Sequence, residues 1–88
     1  MAKFMCTHTI PAGAFTADKI RQFAQAEQQD PTVKGYRSFA NLAEGKAVCV
    51  MEAASKDAVA AWFTKMGMPF DSITKVELEG DRGNIQSA

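Results

Sequence analysis

The pattern of hydrophobic and polar positions along the chain predicts four strands and two helices. The strands are predicted over residues 3–10, 35–42, 46–53 and 72–78, and the helices from Thr16 to about Gln29 and from Ser55 to Gly67. Apolar residues recur at helical spacing in both predicted helices. Thr16 and Ser55 are predicted N-caps because each hydroxyl can accept a free first-turn amide. Gly67, followed by Pro69, is typical of a helix C-terminus.

The predicted order β-α-β-β-α-β indicates an α+β fold, the ferredoxin-like sandwich. In this fold a four-stranded antiparallel sheet carries both helices on one face. The order predicts a single domain over residues 1–78. Residues 79–88 (EGDRGNIQSA) are polar and contain glycine, so we expect them to form a flexible tail.

The third predicted strand lacks the alternation expected of a sheet with one solvated face. Its residues 47–51 (AVCVM) are apolar without a break. Because two helices can cover only one face, a second copy of the chain is predicted to cover the other, giving a homodimer of the dimeric α+β barrel type. The alternative is a monomer whose central strands expose a few apolar residues.

Composition narrows the class of protein. The chain has 88 residues, of which 47% are hydrophobic, and its 10 basic and 10 acidic residues give no net charge. These values fit one compact domain and argue against chain-wide electrostatic attraction to nucleic acid or to an acidic membrane. Two cysteines are too few for a secreted disulfide framework, and neither a signal peptide nor a membrane-length apolar run is present. We therefore expect a cytoplasmic protein.

Several short segments resemble the small nickel-binding-protein-like domains, a family mostly of unknown function. The resemblance rests on Lys3-Phe4, Ile10-Pro11, Ser38-Phe39 and the segments 46–50 (KAVCV) and 67–76 (GMPFDSITKV). It implies a dimeric ferredoxin-like fold and, for some members, nickel binding. Cys49 matches the family's cysteine, whereas Arg37 stands where members resemble one another in having a histidine. A guanidinium cannot serve as a metal ligand.

His8 and Cys49 are the candidate metal ligands, for Ni(II) or another transition metal. His8 is the only histidine, and a neutral imidazole or a thiolate suits such metals. Each residue also has an ordinary explanation. Strands often carry a histidine without a role, and a buried free cysteine usually behaves as a small hydrophobic residue.

Two further hypotheses stay open beside a non-catalytic, metal-binding homodimer. The first is a ligand-binding protein or cofactor-independent enzyme, with Tyr36, Arg37 and His8 directed at a small molecule held between sheet and helices. The second is a structural or interaction module without a small-molecule site. No nucleophile elbow, H-x-x-x-H pair or phosphate-binding glycine loop occurs in the sequence, so catalysis is not predicted.

Overall fold

A computed structural model describes all 88 residues and contains the four predicted strands and both predicted helices, followed by two further strands. The elements are β1 (Ala2–Thr9), α1 (Ala17–Gln29), β2 (Val33–Asn41), β3 (Lys46–Ala53), α2 (Lys56–Met66), β4 (Ser72–Lys75), β5 (Leu78–Asp81) and β6 (Asn84–Ser87). The first four strands form an antiparallel sheet in the order β2-β3-β1-β4. The predicted α+β fold with a four-stranded antiparallel sheet and two helices is therefore confirmed, and the extra strands distinguish the chain from a plain βαββαβ unit.

Both helices begin and end where the local chemistry favours it. The Thr16 hydroxyl accepts the Lys19 amide, and the Ser55 hydroxyl accepts the Ala58 amide, so each predicted N-cap is confirmed. Gly67 ends α2 in the left-handed conformation, with φ of 69°. Neither helix is both long enough and apolar enough to cross a membrane.

The strand register divides the side chains of the sheet between two faces. Phe4, Cys6 and His8 of β1 alternate inward, beside Cys49 and Met51 of β3. This inner face packs against Phe23 of α1 and against the buried residues of α2, which are Val59, Trp62 and Phe63. The opposite or outer face carries Met5 and Thr7 of β1, Val48 and Val50 of β3, and Phe39 of β2. The core of the domain thus lies entirely on one side of the sheet.

Strand β2 contains a bulge at Tyr36. Gly35 pairs with Met51 and Arg37 pairs with the next residue, Val50, so Tyr36 is the extra residue. Beyond the bulge, Ser38 and Ala40 pair with Cys49 and Ala47, which places both on the inner face.

The C-terminal residues correct one expectation. The predicted flexible tail over 79–88 is instead largely a hairpin of β5 and β6, and the fourth strand ends at Lys75 rather than continuing to residue 78. Arg82 and Gly83 both have positive φ, 53° and 87°, which lets a two-residue turn join the strands. The polarity of this segment was misleading because a hairpin exposed on both sides needs no apolar face.

Candidate functional site

His8 and Cys49, the two predicted metal ligands, lie together on the inner face. The His8 Nε2 atom is 3.3 Å from the Cys49 Sγ atom, and His8 Nδ1 is 2.8 Å from the Pro69 carbonyl oxygen. The His8 ring is 2% exposed and meets the Phe63 ring edge-on, with 4.9 Å between the ring centroids. The Pro69 carbonyl can accept only from an Nδ1–H group, so in the neutral ring the Nε2 lone pair faces Cys49.

The surroundings raise the pKa of both members of this pair. A hydrogen bond with Cys6, the residue opposite on β1, and burial raise the pKa of the Cys49 thiol well above its usual range. Burial acts to lower the pKa of His8, but the hydrogen bonds with Cys49 and Pro69 raise it on balance. A metal ion at this position would therefore have to displace protons, so its affinity would decrease as the pH is lowered.

The pair has the geometry of two neighbouring metal ligands but is not a complete site. Ligands at zinc-like bond lengths, about 2.0 Å for nitrogen and about 2.3 Å for sulfur, lie about 3.1–3.6 Å apart, which matches the Nε2–Sγ distance. The contact between Nδ1 and a backbone carbonyl is typical of ligating histidines. However, the structure brings together no group of three or more His, Cys, Asp or Glu side chains that could hold a metal.

The pair forms part of the wall of a pocket between α1 and the inner face, which we call the α1 pocket. It has a volume of about 50 Å³, and nine of its 12 lining residues are hydrophobic. Its three polar members are His8, Ser38 and Glu27, and Cys49 is one of the nine hydrophobic residues. Glu27 is not among the candidate site residues predicted from the sequence. A carboxylate at a core-facing helical position was the signal that could have identified it.

Glu27 has an unusual environment for a carboxylate. Its carboxylate lies against the backbone of Gly35, where a Cβ atom would overlap it. The three ion pairs of the structure join Lys3 to Glu79, Arg21 to Asp18 and Lys65 to Asp30, so none involves Glu27. Burial without a compensating partner raises the pKa of Glu27 to about 7.

Tyr36 and Arg37, the predicted ligand-binding residues, lie apart from His8 on the outer face. The Tyr36 hydroxyl donates to Glu79 of the hairpin, whose other carboxylate oxygen is 2.7 Å from Lys3 Nζ. Lys3 Nζ also lies 4.2 Å from the centre of the Tyr36 ring. Tyr36 and Arg37 line a groove of about 260 Å³ between the outer face and the hairpin. The structure therefore does not bring the predicted trio of His8, Tyr36 and Arg37 to one small molecule.

The rest of the outer face is apolar and solvent-exposed. Phe39 is 65% exposed, Met5 43% and Val48 37%. These side chains come from three adjacent strands, so they form one patch rather than isolated exposed residues.

Taken together, the observations define a small α+β domain with a four-stranded antiparallel sheet, two helices and a buried His–Cys pair. The model of the family described as nickel responsive protein SCO4226-like matches residues 4–76. The chain therefore belongs to this family, which confirms the resemblance inferred from the sequence.

A solved structure supports the same assignment. The chain is similar to SCO4226 from Streptomyces coelicolor A3(2), known from a crystal structure, with 30% sequence identity and a TM-score of 0.75. The similarity covers 90% of this chain and 100% of the other. No curated protein sequence matches the chain.

Proposed function

We propose that the protein is a non-catalytic, nickel-binding homodimer of the cytoplasm. The observation that carries the metal assignment is the buried His8–Cys49 pair, with Nε2 and Sγ at the separation of neighbouring ligands and Nδ1 bound to the Pro69 carbonyl. The description of the family, nickel responsive, supports Ni(II) as the ion. His8 Nε2 and the Cys49 thiolate would hold the ion, and water would complete its coordination, since no third charged ligand is present.

Titration of the metal-free protein with Ni(II) tests this assignment. We expect a sulfur-to-nickel absorption band and the release of protons, because Cys49 must ionise to bind. Cys49→Ser should abolish the band and weaken binding by at least about tenfold. Cys6→Ser is the matched control, since Cys6 is buried opposite Cys49 on the same strand pair, and it should retain the absorption band. Equal nickel affinity in the wild type and Cys49→Ser would reject the site, as would wild-type binding no tighter than millimolar.

The proposal of a homodimer rests on the outer face. A second copy docking there would bury the patch of Met5, Phe39 and Val48 against itself by two-fold symmetry. The zero net charge of the chain leaves no overall repulsion between copies. His8 and Cys49 point to the inner face, so such a partner would cover the sheet without supplying ligands to their site.

Sedimentation at micromolar concentrations tests the dimer. We expect the wild type to sediment as a dimer and Val48→Asp to sediment as a folded monomer, because the substitution places a charge in the patch. Ala61→Asp, an exposed position on α2, is the matched control and should remain dimeric. A wild-type monomer, or a Val48→Asp dimer, would exclude an interface on the outer face.

A further inference from the structure

The α1 pocket contains an acidic residue, Glu27, that has no part in the proposed metal site. Glu27 is the only acidic residue among its lining residues, and no lysine or arginine lines the pocket. The remaining wall is mostly aliphatic and aromatic, including Ile20, Phe23 and Met68. The pocket therefore combines one acidic group with apolar surface.

Glu27 lies where a ligand would enter. Besides the α1 pocket, it borders a shallow surface groove shared with Gly35 and Arg37. The carboxylate is half-buried, whereas His8 and Cys49, deeper in the wall, are buried. A ligand entering between α1 and β2 would meet Glu27 first and the apolar wall beyond it.

The position of Glu27 depends on the absence of a side chain at residue 35. Its carboxylate occupies the space that a Cβ atom of Gly35 would need. Because an unpaired, partly buried carboxylate costs free energy, the protein carries a destabilising group that a cation would compensate. The pKa of Glu27 is raised to about 7 because the carboxylate is buried without a cation beside it.

We propose that the α1 pocket binds a small organic ammonium ion, with the ammonium group on Glu27 and a short aliphatic chain against the apolar wall. A metal ion is the poorer occupant for Glu27, because this residue does not group with His8 and Cys49 as a set of metal ligands. The pocket volume of about 50 Å³ is room for about three to five water-sized groups, which fits an alkyl chain of up to about four carbon atoms.

Isobutylammonium chloride is a suitable probe, compared with isobutanol and isobutyrate, on the full chain in the presence of a chelator. Amide chemical shifts of Ala24, Ser38 and Cys49, which line the pocket, report binding there. We expect isobutylammonium to bind in the millimolar range, at least about tenfold more tightly than isobutanol, and isobutyrate not to bind. The chelator makes the result independent of nickel, so this proposal and the metal site can fail separately.

Two variants test the role assigned to Glu27. Glu27→Gln keeps the shape of the side chain and should reduce the affinity for isobutylammonium to that for isobutanol. Glu77→Gln, at an exposed position, is the matched control and should bind as the wild type does. Gly35→Ala should also weaken binding, because the new methyl group displaces the carboxylate. Equal affinity for isobutylammonium and isobutanol in the wild type, undiminished binding by Glu27→Gln, or the absence of any shift would overturn the proposal.

Discussion

The carboxylate of Glu27 on α1 rests against the backbone of Gly35 on β2, in the space that any other residue at position 35 would fill. The two elements are adjacent, and this contact holds an acidic group at the edge of the apolar core. The contact sets the protonation of Glu27 and, through it, part of the pH dependence of folding.

Gly35→Ala should free Glu27 from its burial. The overlapping carboxylate is the far end of a flexible side chain, so we expect it to swing toward solvent with a change in stability below about 1 kcal/mol. The pKa of Glu27, about 7 in the wild type, should then fall toward its ordinary value of 4.5. Carboxyl carbon chemical shifts measured against pH provide the test. An unchanged pKa in Gly35→Ala would show that burial by Gly35 is not the cause.

Glu27→Gln should stabilise the protein at alkaline pH. The unfolded chain loses the Glu27 proton near pH 4.5 and the native protein near pH 7, so stability falls as the pH rises through this window. Allowing for the partial exposure of the side chain, the cost above pH 7 is about 1–2 kcal/mol. Urea unfolding at pH 5 and pH 8 should show a larger loss in the wild type and in Glu77→Gln than in Glu27→Gln, where only the raised pKa of His8 and other groups still contribute. The same loss in all three proteins would contradict it.

The hairpin of β5 and β6 should depend on the ionisation of Glu79. Hydrogen bonds from Lys3 and Tyr36 hold the pKa of Glu79 below its ordinary value of 4.5. Attachment of the hairpin is thus complete above this value and is lost as the pH falls through the native pKa. Glu79→Gln should speed amide exchange in residues 78–87 at neutral pH. Asp81→Asn, on the same hairpin, is the matched control, and similar exchange in both variants would refute the role of Glu79.

His8 should contribute to stability through both its ring and its Nδ1 atom. His8→Ala removes a buried ring that packs on Phe63 and leaves the Pro69 carbonyl without its donor, so we expect a loss of about 2–4 kcal/mol. His8→Asn places an amide nitrogen near the position of Nδ1 and should recover about 1 kcal/mol of that loss. The free energies of unfolding in urea give the comparison. Equal losses in the two variants would mean that the Pro69 contact contributes nothing.

Local sequence signals predicted most of the fold because each one has a short-range physical cause. Thr16, Ser55 and Gly67 mark helix ends through hydrogen bonds within a few residues, and all three act as expected. The C-terminal hairpin was missed because its signal, a Gly83 turn between short polar strands, resembles that of an unstructured tail.

The candidate site was only partly accessible to sequence reasoning. His8 and Cys49 were chosen as rare residue types that suit a transition metal, but the register that brings them together on the inner face could not be read from the sequence. Glu27 could not be placed, since its burial depends on Gly35 in another element. The separation of Arg37 from His8 depends on the bulge at Tyr36, which the residue pattern of β2 did not predict.

That single extra residue has a consequence for the interior of the protein. If Tyr36 paired regularly instead of forming a bulge, alternation from Gly35 would turn Arg37 and Phe39 toward α1. An aromatic ring would then plug the α1 pocket, and a guanidinium would lie close to Glu27. The shift in phase instead lines this part of the wall with Ser38 and Ala40 and leaves Phe39 to the outer face. The bulge thereby leaves the α1 pocket open and Glu27 without a neighbouring guanidinium, while it keeps the Phe39 ring on the exposed outer face.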